Sequence, residues 1–240
     1  MEPTSGPGPF VIYDCCLVRS AIGRACANLR ELVDAMRTVP DTVLTHHMMY
    51  CALEDHFELY EFPNDIARWA WEALGDHALA EQLGLVDPYR FADVAALRTS
   101  LLEILEQRLW TLDRIPWSRP GLELHLIESR LLAFDTGHRV HTIEELERAI
   151  EQMSLRSLFY HVHAARRRTG NTTDDFSAWL QTAGAPEGLI RRIQAIDFYF
   201  LNLSQLRREL LAAFQGAPYD GVPLGPPRQT ARIAALAGTP

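Results

Sequence analysis

The chain holds 240 residues, 48% of them hydrophobic and 22% charged, with a formal net charge of −8. That apolar share at that length supports a sizeable core and excludes wholesale disorder. All 23 basic residues are arginine, which excludes a lysine Schiff base or a lysine-built phosphate loop, and an acidic chain without a long basic run argues against nucleic acid as a partner.

No apolar run approaches the ~18 residues of a membrane span, and no cationic, apolar leader opens the chain. No membrane partner is therefore expected, and the expected setting is the cytoplasm. Cys15, Cys16, Cys26 and Cys51 show no C-x-x-C spacing and read as reduced packing residues. Neighbours in a strand point to opposite faces, so at most one of Cys15 and Cys16 faces a core.

Residues 1–9 read as a flexible N-terminus. A strand follows at Phe10–Tyr13, then a loop holding Gly23, then a helix opened by the capping box Asn28-x-x-Glu31. The second helix begins near Asp41 and carries His46 and His47. The third is capped near Asn64, and Ile66, Trp69, Ala73 and Leu74 form one apolar stripe. A short fourth helix precedes a last one from about Phe91 to Leu112. Residues 113–121 contain two prolines and read as a linker.

The same order then returns. A strand at Leu124–Ile127 precedes a loop with Gly137 and a capping box, Thr142-x-x-Glu145. The second helix starts at Ser154, carries Tyr160, His161 and His163, and ends at Gly170. The third is capped near Asp174 and bears Phe176 and Trp179; a short helix and one over about Asn202–Phe214 complete the set. Shifted by 114 positions, Gly23 meets Gly137, Glu31 meets Glu145 and His47 meets His161; shifted by 110, Asp65 meets Asp175, Trp69 meets Trp179 and Tyr89 meets Tyr199. The chain reads as a diverged tandem duplication, with repeat 1 over 10–112 and repeat 2 over 122–215. Residues 216–240, with four Gly and five Pro, read as a tail without a core.

A lone strand leaves backbone groups unpaired, whereas two can pair. The expected fold is therefore mainly α (α+β): two strand-plus-helices repeats forming one pseudo-twofold helical unit with a small β-sheet. The candidate ligand-binding residues are His46, His47, Asp65, Tyr160, His161, His163, Arg166 and Asp175, gathered in one groove between the repeats. His47 is expected to bond Asp65 and His161 to bond Asp175. Asp65 and Asp175 open helices and read as caps, Trp69 and Trp179 as core, and Arg166–Arg168 as a solvated helix end. His161 and His163 diverge by about 200° on a helix, so they do not share an ion; no metal site, cofactor motif or Gly-x-Ser-x-Gly elbow is read.

The run HTIEELERAIEQMSLRSLFYHVHAARRRTGNTTDDFSAWL, with its counterparts GRACANLRELVDAMRTVPDTVLTHHMMY and NDIARWAWEALGDHALAEQLGLVDPY, resembles the domain-of-unknown-function 5752 family over residues 10–215. The shared elements are His46-His47 and Tyr160-His161, then Asn64–Trp69 and Asp174–Trp179, with Ile66 where the family has Phe. The resemblance implies no activity. It implies a carbohydrate-metabolism setting, with a sugar-metabolising enzyme among the possible partners. The residues themselves support a non-enzymatic accessory protein that binds a polar small molecule or a partner protein in the groove. The alternatives are an enzyme, metal-dependent or acting on a sugar or sugar phosphate through His47 or His161, and a purely structural interaction module.

Overall fold

The computed structural model describes residues 8–53, 62–168 and 173–216. The tail beyond Gly216, most of the expected N-terminal segment and the helix end expected at Gly170 lie outside the described residues.

Two 17-residue strands, β1 (Phe10–Cys26) and β2 (Leu124–Val140), pair antiparallel as the single sheet among the described residues. They run far beyond the short strands expected. Gly23 and Gly137, expected in loops after the strands, sit inside them with φ of 71° and 81°. Each lies where the ladder shifts register, one between Ala21 and Ala25, the other opposite Val11 and Tyr13. A bulge needs the left-handed backbone that glycine adopts without a Cβ clash. It also breaks the two-residue alternation by which the strand would have been read. Leu17 pairs with Leu131 at mid-ladder, and the ends pair Phe10 with Val140 and Cys26 with Leu124. Phe10, Ile12, Cys15, Leu124 and Leu126 are buried under the helices, while Val18, Leu132 and Phe134 stand exposed. Cys15 is buried and Cys16 half-buried, as alternation requires.

The remainder is helical. After β1 come α1 (Leu29–Met36), α2 (Asp41–Met49), α3 (Asp65–Trp69) continued by a π turn (Ala70–Leu74), α4 (His77–Gly84) and α5 (Val94–Thr111). After β2 come α6 (Ile143–Gln152), α7 (Leu155–Phe159), a π turn (Tyr160–Ala164) leading into α8 (Ala165–Arg168), then α9 (Asp175–Thr182), α10 (Glu187–Gln194) and α11 (Leu203–Phe214). The caps form where the sequence placed them. Asn28 accepts from the Glu31 amide and Thr142 from the Glu145 amide. The glutamates reach back one residue further than in the usual box, accepting from the Ala27 and His141 amides at 2.8 and 2.7 Å.

The two segments are interlocked. α1 lies on β1 and α6 on β2, but α2 crosses to β2 and α7 crosses to β1. Away from the ribbon, an aromatic seam joins the helices: Tyr50 meets Phe159, and Tyr89 meets Phe198 and Tyr199. The linker is docked rather than loose, since the Ser118 amide donates to the Ala27 carbonyl and the Arg119 amide to the Ala73 carbonyl. Among the described residues, no helix is long and apolar enough to cross a membrane.

Candidate functional site

His47 is buried on α2, which lies against β2. Its Nε2 accepts the Ile127 amide of β2 at 3.1 Å. That fixes the tautomer, because an acceptor Nε2 carries no proton; Nδ1 then donates to Asp65 Oδ2 at 2.9 Å. Arg68 holds the other carboxylate oxygen at 2.8 Å. Burial alone would raise the Asp65 carboxyl, but the His47 hydrogen bond and the Arg68 charge outweigh it and hold the group below the ordinary carboxylate range.

The second segment carries the same arrangement. His161 Nε2 accepts the Tyr13 amide of β1 at 3.0 Å, and Nδ1 donates to Asp175 at 2.8 Å. Here the guanidinium comes from Arg168, which reaches both Asp175 oxygens at 2.8 Å. The tryptophans add a second link across the segments: Trp69 Nε1 donates to the Leu122 carbonyl at 2.9 Å, and Trp179 Nε1 to the Gly8 carbonyl at 3.0 Å. The helix caps are Asn64 and Asp174, one residue before the aspartates expected in that role. Asp65 and Asp175 instead turn to the histidines.

The eight candidate residues do not line one groove. Tyr13 and Ala21, the ladder partner of Ile127, are eight residues apart on β1, about 26 Å at ~3.3 Å per residue. The two histidine–aspartate pairs therefore stand toward opposite ends of the ribbon. His46 and His47 share one site with Asp65, and His161 and Tyr160 share another with Asp175. His163 and Arg166 form a third group in the aromatic seam. His163 stacks on Phe159 with ring centroids 4.9 Å apart and lies 3.3 Å from the Tyr89 hydroxyl. Burial, with Arg166 adding to it, lowers the His163 pKa to about 3. Arg166 is no solvated helix end: it pairs with Asp174 at 3.2 Å and lies over the Phe198 ring.

His46, His47 and Asp65 bring three potential ligand atoms within 4.8 Å of one another. As a metal centre the set is preoccupied. His47 uses both nitrogens, and His46 Nδ1 lies 2.7 Å from the Ser129 hydroxyl. Burial, then the neighbouring His47, pushes His46 down to about 4. A cation here would have to displace the Ile127 amide or break the His47–Asp65 bond. For the same reason neither His47 nor His161, as placed, offers a lone pair to a substrate proton.

Beside the first pair lies a cleft of about 370 Å³, walled by α2 and α3 on one side and by residues 121–127 on the other. Its rim carries Arg68, Glu72, Glu123 and His125. Sequence alone does not indicate these four, because linker and helix are brought together by long-range contacts such as the Trp69–Leu122 bond and the Arg119–Ala73 bond.

No curated protein matches the chain. Among solved structures, that of OrfY from Thermoproteus tenax is similar, with a TM-score of 0.72 and 27% sequence identity, over 88% of this chain and 97% of that one. Residues 7–215 match the model of a family described as a family of unknown function, DUF5752, and the chain belongs to that family.

Proposed function

We propose that the chain is a tandem duplication folded about a pseudo-twofold axis, and that it is a non-enzymatic binding protein holding a small polar ligand in the cleft at His47. The ladder supports the duplication. Exchanging strands by a shift of 114 turns the pair Phe10–Val140 into Cys26–Leu124, turns Tyr13–Asp135 into Ala21–Ile127, and leaves Leu17–Leu131 unchanged. The links agree: Ile127 answers to Tyr13, and Leu122 to Gly8.

The observation that carries the binding reading is a cleft whose polar rim occurs once. At the positions matching Arg68, Glu72, Glu123 and His125, the other end of the ribbon has Ala178, Thr182, Pro9 and Val11. There Phe10 packs on His161, Phe176 and Trp179. A rim that served folding alone would be needed at both ends. With Asp65, Glu72 and Glu123 against Arg68, and neutral imidazoles, the lining carries a net charge of −2 (1 − 3). It suits a hydroxylated or cationic ligand, with the histidines as fixed scaffold.

Isothermal titration with glucose, trehalose and putrescine tests this. At least one is expected to bind, and Glu72→Gln with Glu123→Gln is expected to weaken it tenfold or more at unchanged melting temperature. Binding that ignores the double variant, or no heat from any of the three, refutes the reading. The sugar arms also test the carbohydrate setting implied by the family resemblance.

A further inference from the structure

A second cleft, of about 630 Å³, lies between the ribbon and α6, within the roughly 300–1,000 Å³ usual for small-molecule sites. Its floor is apolar, with Ile12, Val140 and Met153 buried. His138 and Arg139 line it from β2, Arg148 and Gln152 from α6, and Asp14, Ser154 and Ser157 from β1 and the start of α7. Arg139 is already held by Asp135 at 2.6 and 2.8 Å. Arg148 is engaged through Nε alone in the bond it makes to the Glu144 carbonyl at 3.3 Å. At the other end, the Ser154 hydroxyl donates to Asp14 Oδ2 at 3.0 Å and lies 3.3 Å from the Ser157 hydroxyl.

Comparison with the other segment gives this cleft its meaning, and that comparison rests on the duplication proposed above; the cleft and its residues do not. In the first segment, Arg24 reaches across to Thr38 and bonds its hydroxyl at 3.0 Å. His138 and Gln152 stand at the matching positions. Ile22, Ala25, Pro40 and Val43 are matched by Thr136, Arg139, Ser154 and Ser157. Val43 is a fully buried core residue, and Ser157 is buried almost as deeply. Where a valine packs in the first segment, the Ser157 hydroxyl instead meets that of Ser154 at 3.3 Å, and Ser154 caps α7 by accepting the Ser157 amide at 2.9 Å, so a linked pair of hydroxyls faces the cleft. Four apolar-to-polar exchanges around one opening are the pattern of a site that contacts a ligand.

We infer that this cleft binds a small hydroxylated organic anion. Arg148, beside His138 and Arg139, takes the carboxylate or phosphate, and the Asp14, Ser154 and Ser157 group takes hydroxyls at the other end. The apolar floor accommodates the carbon skeleton between them. This is a different site from the cleft at His47: Arg139 and Arg148 stand against Asp14 and Glu145 in its lining, which carries no net charge where the other cleft is acidic.

Titration calorimetry on the full chain with gluconate, glucose 6-phosphate, glucose and inorganic phosphate tests it. Gluconate or glucose 6-phosphate is expected to bind one per chain, and which of them binds identifies the anionic group. Arg148→Ala, at an exposed position, should weaken binding at least tenfold with the melting temperature retained. Ser157→Val, which restores the first segment's residue, should weaken it at least threefold. The Glu72→Gln, Glu123→Gln double variant should leave it unchanged, so failure at the other cleft is read separately. The inference is overturned if neither organic anion binds, if glucose or inorganic phosphate alone binds the Glu72→Gln, Glu123→Gln double variant as tightly as the organic anion does, if Arg148→Ala binds like the wild type, or if the double variant abolishes binding of the organic anion.

Discussion

Lowering the pH from 7 to 5 should destabilise this protein through His163, by about 2 kcal/mol. The ring is buried in the seam, stacked on Phe159, edge-on to Phe198 and beside the Tyr89 hydroxyl; among the described residues its Nε2 has no hydrogen-bond partner. Folded, its pKa is lowered to about 3 by burial and then by Arg166; unfolded, it returns to about 6.5. Between these values the unfolded chain binds a proton that the folded chain does not, so stability rises with pH across that window. The contribution is complete above about 6.5 and is lost as pH falls toward 3. At pH 5 the loss is about 1.5 pH units at ~1.4 kcal/mol each, or about 2 kcal/mol. Urea unfolding followed by circular dichroism at pH 7 and pH 5 measures it. His163→Phe keeps a stacking ring of similar size and removes the titration. Its lost bond to Tyr89 is common to both pH values and cancels in the difference. The variant should lose about 2 kcal/mol less than the wild type between pH 7 and 5, and an equal loss in both proteins refutes the reasoning.

Other expectations follow from the same contacts. His47→Ala leaves the Ile127 amide and one Asp65 oxygen unpartnered and should cost about 3 kcal/mol in urea unfolding. His161→Ala should cost less, because the Asp175 side chain is 19% exposed against 7% for Asp65 and is more readily hydrated. Arg98→Ala removes the guanidinium that binds the Met36 and Val39 carbonyls and should cost about 2 kcal/mol, while Trp110→Ala, at a residue 89% exposed, should move the unfolding midpoint by less than about 0.5 kcal/mol. In the native protein at pH 8 only Cys16 should react with a thiol reagent within minutes. Burial raises Cys15 to about 12 and Cys26 to about 11, and Cys51 is buried; fast release of a second thiol contradicts this.

How far the fold can be read from sequence depends on the range of the interaction. Caps are local, and Asn28, Thr142, Asn64 and Asp174 all cap the helices they precede. Pairing of His47 with Asp65 and His161 with Asp175 is also legible, because the spacing is short and the chemistry obvious. The strands beyond Tyr13 and Ile127 are not, since a bulge at Gly23 or Gly137 shifts the alternation and one face of the ribbon is exposed. Nor is the role of the histidines as acceptors: the amide that fixes His47 is 80 positions away, and a backbone N–H has no residue type to betray it. Arg166 misleads for a related reason. Its neighbours Arg167 and Arg168 make it look like one of a solvated run, but the aromatic ring it covers comes from the far side of the second segment.

The crossing of α2 to β2 and of α7 to β1 makes each half of the molecule the other's template. Residues 10–112 alone would give His47 no amide to accept and Trp69 no carbonyl to meet, and residues 122–215 alone would strand His161 and Trp179 in the same way. Melting is therefore expected as a single concerted transition, with matching midpoints by circular dichroism and by tryptophan fluorescence. Cleft residues such as Glu72, Glu123 and Arg148 lie outside these crossing contacts, so a change there that empties or fills one cleft leaves untouched the bonds on which both halves stand.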